Sequence, residues 1–178
     1  MKQLFFILSL SAAATCMAAK PDASKAFVTI TQKGGKTLGY SPTSGVKIIT
    51  VDGLKFKDLN RNGKLDKYED WRLPARERAI DLASQLSIEE IAGLMLYSAH
   101  QAIPANEQGF GAGTYNGKPL SKSGAKASDI SDAQKKFLIN DYLRHVLITT
   151  LQSPRIAAEW NNNVQALCES IGHGIPAN

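Results

Sequence analysis

The pattern of apolar and polar positions changes period near residue 70. Ahead of that point apolar residues alternate with polar ones. Residues 26–31 (AFVTIT) and 46–51 (VKIITV) are β-branched runs of period two and predict strands. Lys33-Gly34-Gly35-Lys36 is a turn, and 37–40 is placed as the returning strand of a hairpin. Asp52-Gly53 marks a tight turn, and 54–57 then leads to residue 58.

Beyond residue 70 the spacing becomes helical. A short helix is expected from Lys67, with Asp66 as N-cap and Glu69 three residues on. Pro74 suits the first turn of a helix running to Gln85, whose apolar stripe is Ile80, Ala83 and Leu86. Ser87 and Glu90 form a capping box that opens 88–96, a helix carrying Ile91, Leu94 and Met95 and weakened by Gly93. Residues 98–128 hold five glycines and no period, and predict a long flexible surface loop. Ser131 and Gln134 then cap a helix to about Asn140. Residues 144–151 (RHVLITTL) read as a buried strand. Ser153-Pro154 starts a helix whose stripe is Ile156, Trp160, Val164, Leu167 and Ile171, ended by Gly172. Ile175-Pro176 looks like the entry to a further strand. Helix, strand, helix, strand is the rhythm of a parallel α/β sheet.

Composition narrows the class. The chain has 178 residues, 43% hydrophobic and 21% charged, which is one globular domain's worth and not a disordered chain. Its net charge of +5 is interleaved with acids and lacks aromatic–basic clusters, so no nucleic-acid partner is expected. Residues 1–19 read as a secretory signal peptide: Lys2, an apolar run over 4–14, then small residues at Ala18 and Ala19. The run is too short to span a membrane, so the expected location is secreted or periplasmic, with no transmembrane segment. Cys16 raises lipoprotein anchoring as a lesser alternative, because Ala13-Ala14-Thr15 fit that signal poorly. Cys168 then remains alone, on a helix among apolar neighbours, and reads as buried and inert.

One stretch carries candidate chemistry. In DLNRNGKLDKYE, residues 58–69, Asp58, Asn60, Asn62, Gly63 and Glu69 fall at positions one, three, five, six and twelve of an EF-hand calcium loop. Ca²⁺ takes six to eight hard oxygen ligands, so oxygen-bearing side chains must alternate along a loop that wraps the ion. The candidate ligands are Asp58, Asn60, Asn62, Lys64 through its carbonyl, Asp66 through a water, and Glu69 with both carboxylate oxygens. Five constrained positions match by chance at roughly 10⁻⁶ to 10⁻⁵ per starting residue. The rival is an Asx-turn loop that caps a helix and binds nothing. Lys57, Arg61, Lys64 and Lys67 predict modest affinity.

Catalytic chemistry is not found. Glu89 and Glu90 are helix neighbours that point about 100° apart, and Asp129 and Asp132 sit at a helix start. His100, His145 and His173 show neither metal spacing nor a nucleophile motif. Trp160 reads as core and Trp71 as packing behind the loop.

Three segments in order carry a resemblance. Residues 56–95 (FKDLNRNGKLDKYEDWRLPARERAIDLASQLSIEEIAGLM) resemble the amino-terminal region of secreted bacterial glycoside hydrolase family 3 enzymes, the β-glucosidase-like family. Residues 143–167 are similar to that family's "LR" and "WNN..Q.L" segment, and Gly174-Ile175-Pro176 to the "GIP" opening the next barrel strand. The resemblance implies an α/β fold: the N-terminal portion of a (β/α)8 TIM-type barrel. A β-hairpin lead-in (20–57) and the EF-hand-like calcium loop (58–69) would precede the barrel's start (70–178). A full barrel takes ~250 residues, so the barrel is incomplete in this chain. The implied reaction is retaining hydrolysis of terminal β-D-glycosidic bonds in a β-glucoside or oligosaccharide. The family's nucleophile, acid/base and first sugar-holding aspartate lie beyond the "GIP" strand, so no catalytic residue is assigned here. The alternative is a free-standing secreted calcium-binding or dockerin-like module, although dockerins carry two such loops and this chain has one.

Overall fold

A computed structural model describes residues 27–178. The signal-peptide reading and Cys16 lie outside the described residues. Two antiparallel hairpins lead in: β1 (Val28–Ile30) with β2 (Leu38–Tyr40), and β3 (Lys47–Val51) with β4 (Leu54–Asp58). Asp52 and Gly53 join β3 to β4 with both residues at positive φ, 52° and 77°. That is the two-residue turn whose twist matches paired strands, and it holds Lys47 opposite Asp58 and Val51 opposite Leu54. Gln32, in the first turn, bonds the Lys55 backbone twice and so ties the first hairpin to the second.

Two short helices follow, α1 (Ala75–Ala83) and α2 (Ile88–Leu94). The expected helix from Lys67 is only a turn: Asp66 turns its carboxylate to Asn60 and Asn62 and leaves the cap undone. The Ser87–Glu90 capping box is present as expected. Gly93 proves to be a packing residue as well as a weak helix former. A Cβ there would lie 2.3 Å from the Asp141 carbonyl, so only glycine lets α2 meet that turn.

The region 98–128, expected to be a long flexible loop, contains β5 (Gln101–Ile103) and α3 (Leu120–Ser123). Ala102 and Ile103 form too short an apolar run to show a period. Their strand is made by pairing in parallel with β6 (Ile148–Leu151), which lies far along the chain. Between β5 and α4 (Asp132–Ile139) the backbone is tied by side chains. Asp132 accepts from the Asn116 and Gly117 N–H groups and from the Thr114 hydroxyl.

The stretch 144–151, expected as a buried strand, is regular only as β6, half-buried at Ile148 and exposed beyond it. It has neighbours on one edge along 145–151 and on the other at 144 and 146 alone. The Ser98 and Gln101 N–H groups donate to His145 and Leu147. On the other edge Asn178 donates to Arg144 and accepts from Val146, the bonding pattern of a parallel neighbour. Between these edges runs α5 (Pro154–Glu169), capped by the Ser153 hydroxyl as read from the sequence. It ends before Ile171, the last residue of the expected stripe. The core lies under α5: Trp160, Val164 and Cys168 meet Ile103, Ile130 and Leu138. Arg144 is buried there, pairs with no carboxylate among the described residues, and donates to the carbonyls of Leu138, Leu143 and Ile175. Among the described residues no helix is long and apolar enough to cross a membrane.

Candidate metal centre

The loop begins where β4 ends, on Asp58, which is fully buried. Its Oδ2 accepts from the Gly63 N–H at 3.0 Å, while its Oδ1 is buried with no hydrogen-bond partner. Asn60 Oδ1 accepts from the Asn62 N–H at 3.1 Å and Asn62 Oδ1 from the Lys64 N–H at 2.8 Å, so two Asx turns wind the chain. Arg61 and Gly63 supply the left-handed steps, with φ of 64° and 78°. Both amide groups reach Asp66: Nδ2 of Asn60 and of Asn62 donate to its Oδ2 at 2.6 and 2.7 Å.

Glu69 closes the loop from inside. It is buried and accepts from three backbone N–H groups: Leu59 at 2.7 Å, Asn60 at 3.2 Å and Asp66 at 3.1 Å. Burial pushes its carboxyl above the usual range, against the pull of those N–H groups. Burial, then the neighbouring Glu69 charge, also raises the Tyr68 phenol.

The structure therefore brings Asp58, Asn60, Asn62, Asp66 and Glu69 onto one closed loop, joined by the Lys64 backbone. It does not draw the acids together. Among the described residues no three His, Cys, Asp or Glu side chains converge as a metal site. The residues nonetheless fit a hard cation. A buried, unpaired carboxylate oxygen costs several kcal/mol unless something positive meets it, and Asp58 Oδ1 is such an atom. The remaining donors, two amide oxygens and two carboxylates, have the all-oxygen chemistry that Ca²⁺ takes.

Partners that sequence spacing could not show dock this loop. Lys57 pairs with Glu169, and Arg61 Nη2 donates to the Glu169 carbonyl at 2.7 Å, so two of the four basic residues face the end of α5. A Cβ at Gly174 would meet Leu59 at 2.9 Å, so the Gly-Ile-Pro segment also rests on the loop. Tyr68 donates to the His173 carbonyl, and Arg78 of α1 donates to the Tyr68 carbonyl. Trp71 stacks on Phe56 with ring centres 5.0 Å apart. The loop is thus a junction of hairpin, α1 and α5.

Several of the other polar groups read from the sequence have structural partners. Glu90 caps α2, Asp129 accepts from the Lys126 N–H, and His145 bonds Leu94 and Asn178. Trp160 is core, its indole donating to Gln134. Cys168 is buried, and burial raises its thiol.

No protein-family profile matches the chain. Over 136 residues, 75% of the chain, it is 43% identical to a periplasmic beta-glucosidase/beta-xylosidase from Dickeya chrysanthemi. The chain spans 18% of that protein's length. Over three quarters of its length the chain is therefore similar to part of a glycosidase-like protein.

Proposed function

We propose that this chain is the N-terminal portion of a secreted or periplasmic β-glucosidase-like enzyme of glycoside hydrolase family 3 type. The catalytic carboxyls lie in the remainder of that polypeptide. The observation that carries the reading is the 43% identity to the periplasmic beta-glucosidase/beta-xylosidase. Its 136 aligned residues extend far beyond a twelve-residue loop, which a free-standing calcium module does not account for. The parallel order of 97–103, 145–151 and Asn178, with α5 between, supports reading 70–178 as the start of a (β/α)8 barrel.

In the same reading the loop from Asp58 to Glu69 holds Ca²⁺ as a structural brace. Asp58, Asn60, Asn62, Asp66, Glu69 and the Lys64 carbonyl would hold the ion. The ion's part is charge compensation of Asp58 Oδ1. The residues' part is to fix the hairpin against α1 and the end of α5. Retaining hydrolysis needs two carboxyls about 5 Å apart across the bond. Glu69, Glu90, Asp129 and Asp132 each serve backbone N–H groups instead.

A chromogenic panel of aryl β-D-glucosides and β-D-xylosides tests this. The 178-residue chain should give no turnover, and the full secreted polypeptide carrying it should hydrolyse at least one. An inactive full polypeptide, or activity of the short chain abolished by mutating one of its own acids, would overturn the reading.

A further inference from the structure

We propose that Asn116 is a self-modification site, where the Gly117 nitrogen attacks the Asn116 side chain and turns it into aspartate and isoaspartate, with Asp132 as the brake. The chain has two Asn-Gly steps, Asn62-Gly63 and Asn116-Gly117. Glycine has no Cβ to crowd its amide nitrogen, and space is open at both: a Cβ on Gly63 or Gly117 would meet nothing within 4 Å. The two asparagines are held differently. Asn62 Oδ1 accepts from the Lys64 N–H at 2.8 Å and its Nδ2 donates to Asp66 at 2.7 Å. Turning that amide toward Gly63 breaks both bonds. The Gly63 N–H is also held, by Asp58 at 3.0 Å. Asn116 is exposed, and among the described residues its side-chain amide makes no hydrogen bond. Asn62 thus carries restraints on both reacting groups, and Asn116 on the nucleophile alone.

That remaining restraint is Asp132. Asn116 and Gly117 form a tight turn with φ of 53° and 76°, closed by Tyr115 and Lys118 through backbone bonds of 2.7 and 3.2 Å. Asp132 accepts from the Asn116 N–H at 3.0 Å and from the Gly117 N–H at 2.8 Å. The Gly117 N–H in turn holds the Asp132 carboxyl below its usual range and so ionised. The nucleophile is the Gly117 nitrogen after hydroxide has taken its proton. A carboxylate on that N–H stabilises the protonated form and repels the charge developing on nitrogen. Once the N–H leaves Asp132, the nitrogen bonds to Asn116 Cγ. The Cγ–Nδ2 bond breaks, and Nδ2 takes a proton from water and departs as ammonia. The cyclic imide adds water at either carbonyl and opens to aspartate or isoaspartate. The net change is one water in and one ammonia out, with no oxidation. The product puts a new negative charge beside Asp132, and isoaspartate lengthens the turn by a backbone carbon. Both loosen the clamp between 114–117 and α4.

The test incubates the 178-residue chain, wild type, Asp132→Ala and Asp132→Asn, at mildly alkaline pH with a chelator, so that no bound ion restrains Asn62. Peptide mass spectrometry follows amide-to-acid conversion at each step, and electron-transfer fragmentation separates isoaspartate from aspartate. In the wild type Asn116 should convert faster than Asn62. Asp132→Ala should speed Asn116 by at least about tenfold, the gain when a charge-assisted hydrogen bond is lost. Asn62 in the same sample is the folding control: local release leaves its rate unchanged, whereas unfolding raises both. Asp132→Asn keeps the side chain's size and removes its charge, and it replaces the alanine variant if that one unfolds; it should speed Asn116 severalfold. Asn62 converting as fast as Asn116 in the wild type overturns the proposal. So does a folded Asp132 variant whose Asn116 rate is that of the wild type.

Discussion

Two amphipathic helices of this chain begin at a proline and carry an apolar stripe, and their fates differ. α5 buries the middle of its stripe, with Trp160 2% and Val164 1% exposed beside Cys168 at 0%, and keeps Ile156 and Leu167 half-buried against them. α1 buries no residue, and Ile80 on it is 58% exposed. The apolar exposure continues through α2 and its exit, with Ile88 and Met95 at 80% and Tyr97 at 73%. An apolar stripe therefore predicts a helix without predicting its cover. α5 is covered because Ile103 of β5 and Ile148 of β6 pack against its buried face. The α1–α2 side has no such cover among the described residues.

The first way to break this contrast is truncation. Trp160→Ala should destabilise the chain by about 3–5 kcal/mol, and Ile88→Ala by no more than about 0.5 kcal/mol, both by urea denaturation. Equal losses would mean the α1–α2 face is already covered.

The second concerns the loop between the two regions. An affinity near 10⁻⁴ M is expected for such an extracellular site. Ca²⁺ at one hundred times that Kd should then stabilise the chain by about 2.7 kcal/mol. Calorimetry should show Asp58→Asn and Glu69→Gln weakening Ca²⁺ by at least about tenfold, with Mg²⁺ bound poorly by all three proteins. Asp58→Asn keeps the loop's size, so it separates ligand loss from loop collapse. Wild type that binds no Ca²⁺ would leave an Asx-turn clasp.

The third uses Gly93. Its missing Cβ is where α2 touches Asp141 and Tyr142. Gly93→Ala should cost about 1–3 kcal/mol by overpacking, despite alanine's better helix propensity. A stabilised variant would show that α2 is loosely held there.

The smallest effect is acid loosening of residues 114–117. The Gly117 N–H and the Thr114 hydroxyl hold the Asp132 carboxyl below its usual range. A group with a depressed folded pKa contributes stability above its unfolded value, near 3.9, and that contribution is lost as pH falls through the folded value. Amide exchange at Asn116 and Gly117 should therefore accelerate below about pH 4 more than base chemistry predicts. Asp132→Asn should flatten that dependence.

Much of the local chemistry was legible in the sequence, although the Asp66 cap was not, because its carboxylate is taken by Asn60 and Asn62. The capping boxes at Ser87 and Ser131, the Asp52-Gly53 turn and the Ser153-Pro154 helix start are all present. The strand at 101–103 was not legible, because its partner lies some fifty residues on and supplies the reason for its extension. At the loop the spacing named the residues that close on one another, but not the partnership of Lys57 and Arg61 with Glu169. No local pattern marks a contact whose two ends are 112 residues apart. The packing role of Gly93 was missed for the same reason: helix propensity is local, and its neighbours Asp141 and Tyr142 are not.

Hydroxyl-radical footprinting at Met95 and Tyr97 tests the central claim, that this chain is the front of a larger enzyme. In the 178-residue chain both side chains should oxidise readily, as their exposure of 80% and 73% requires. In the full secreted polypeptide they should be protected severalfold, while Trp160 stays protected in both. Equal oxidation of Met95 and Tyr97 in the two proteins would contradict the account.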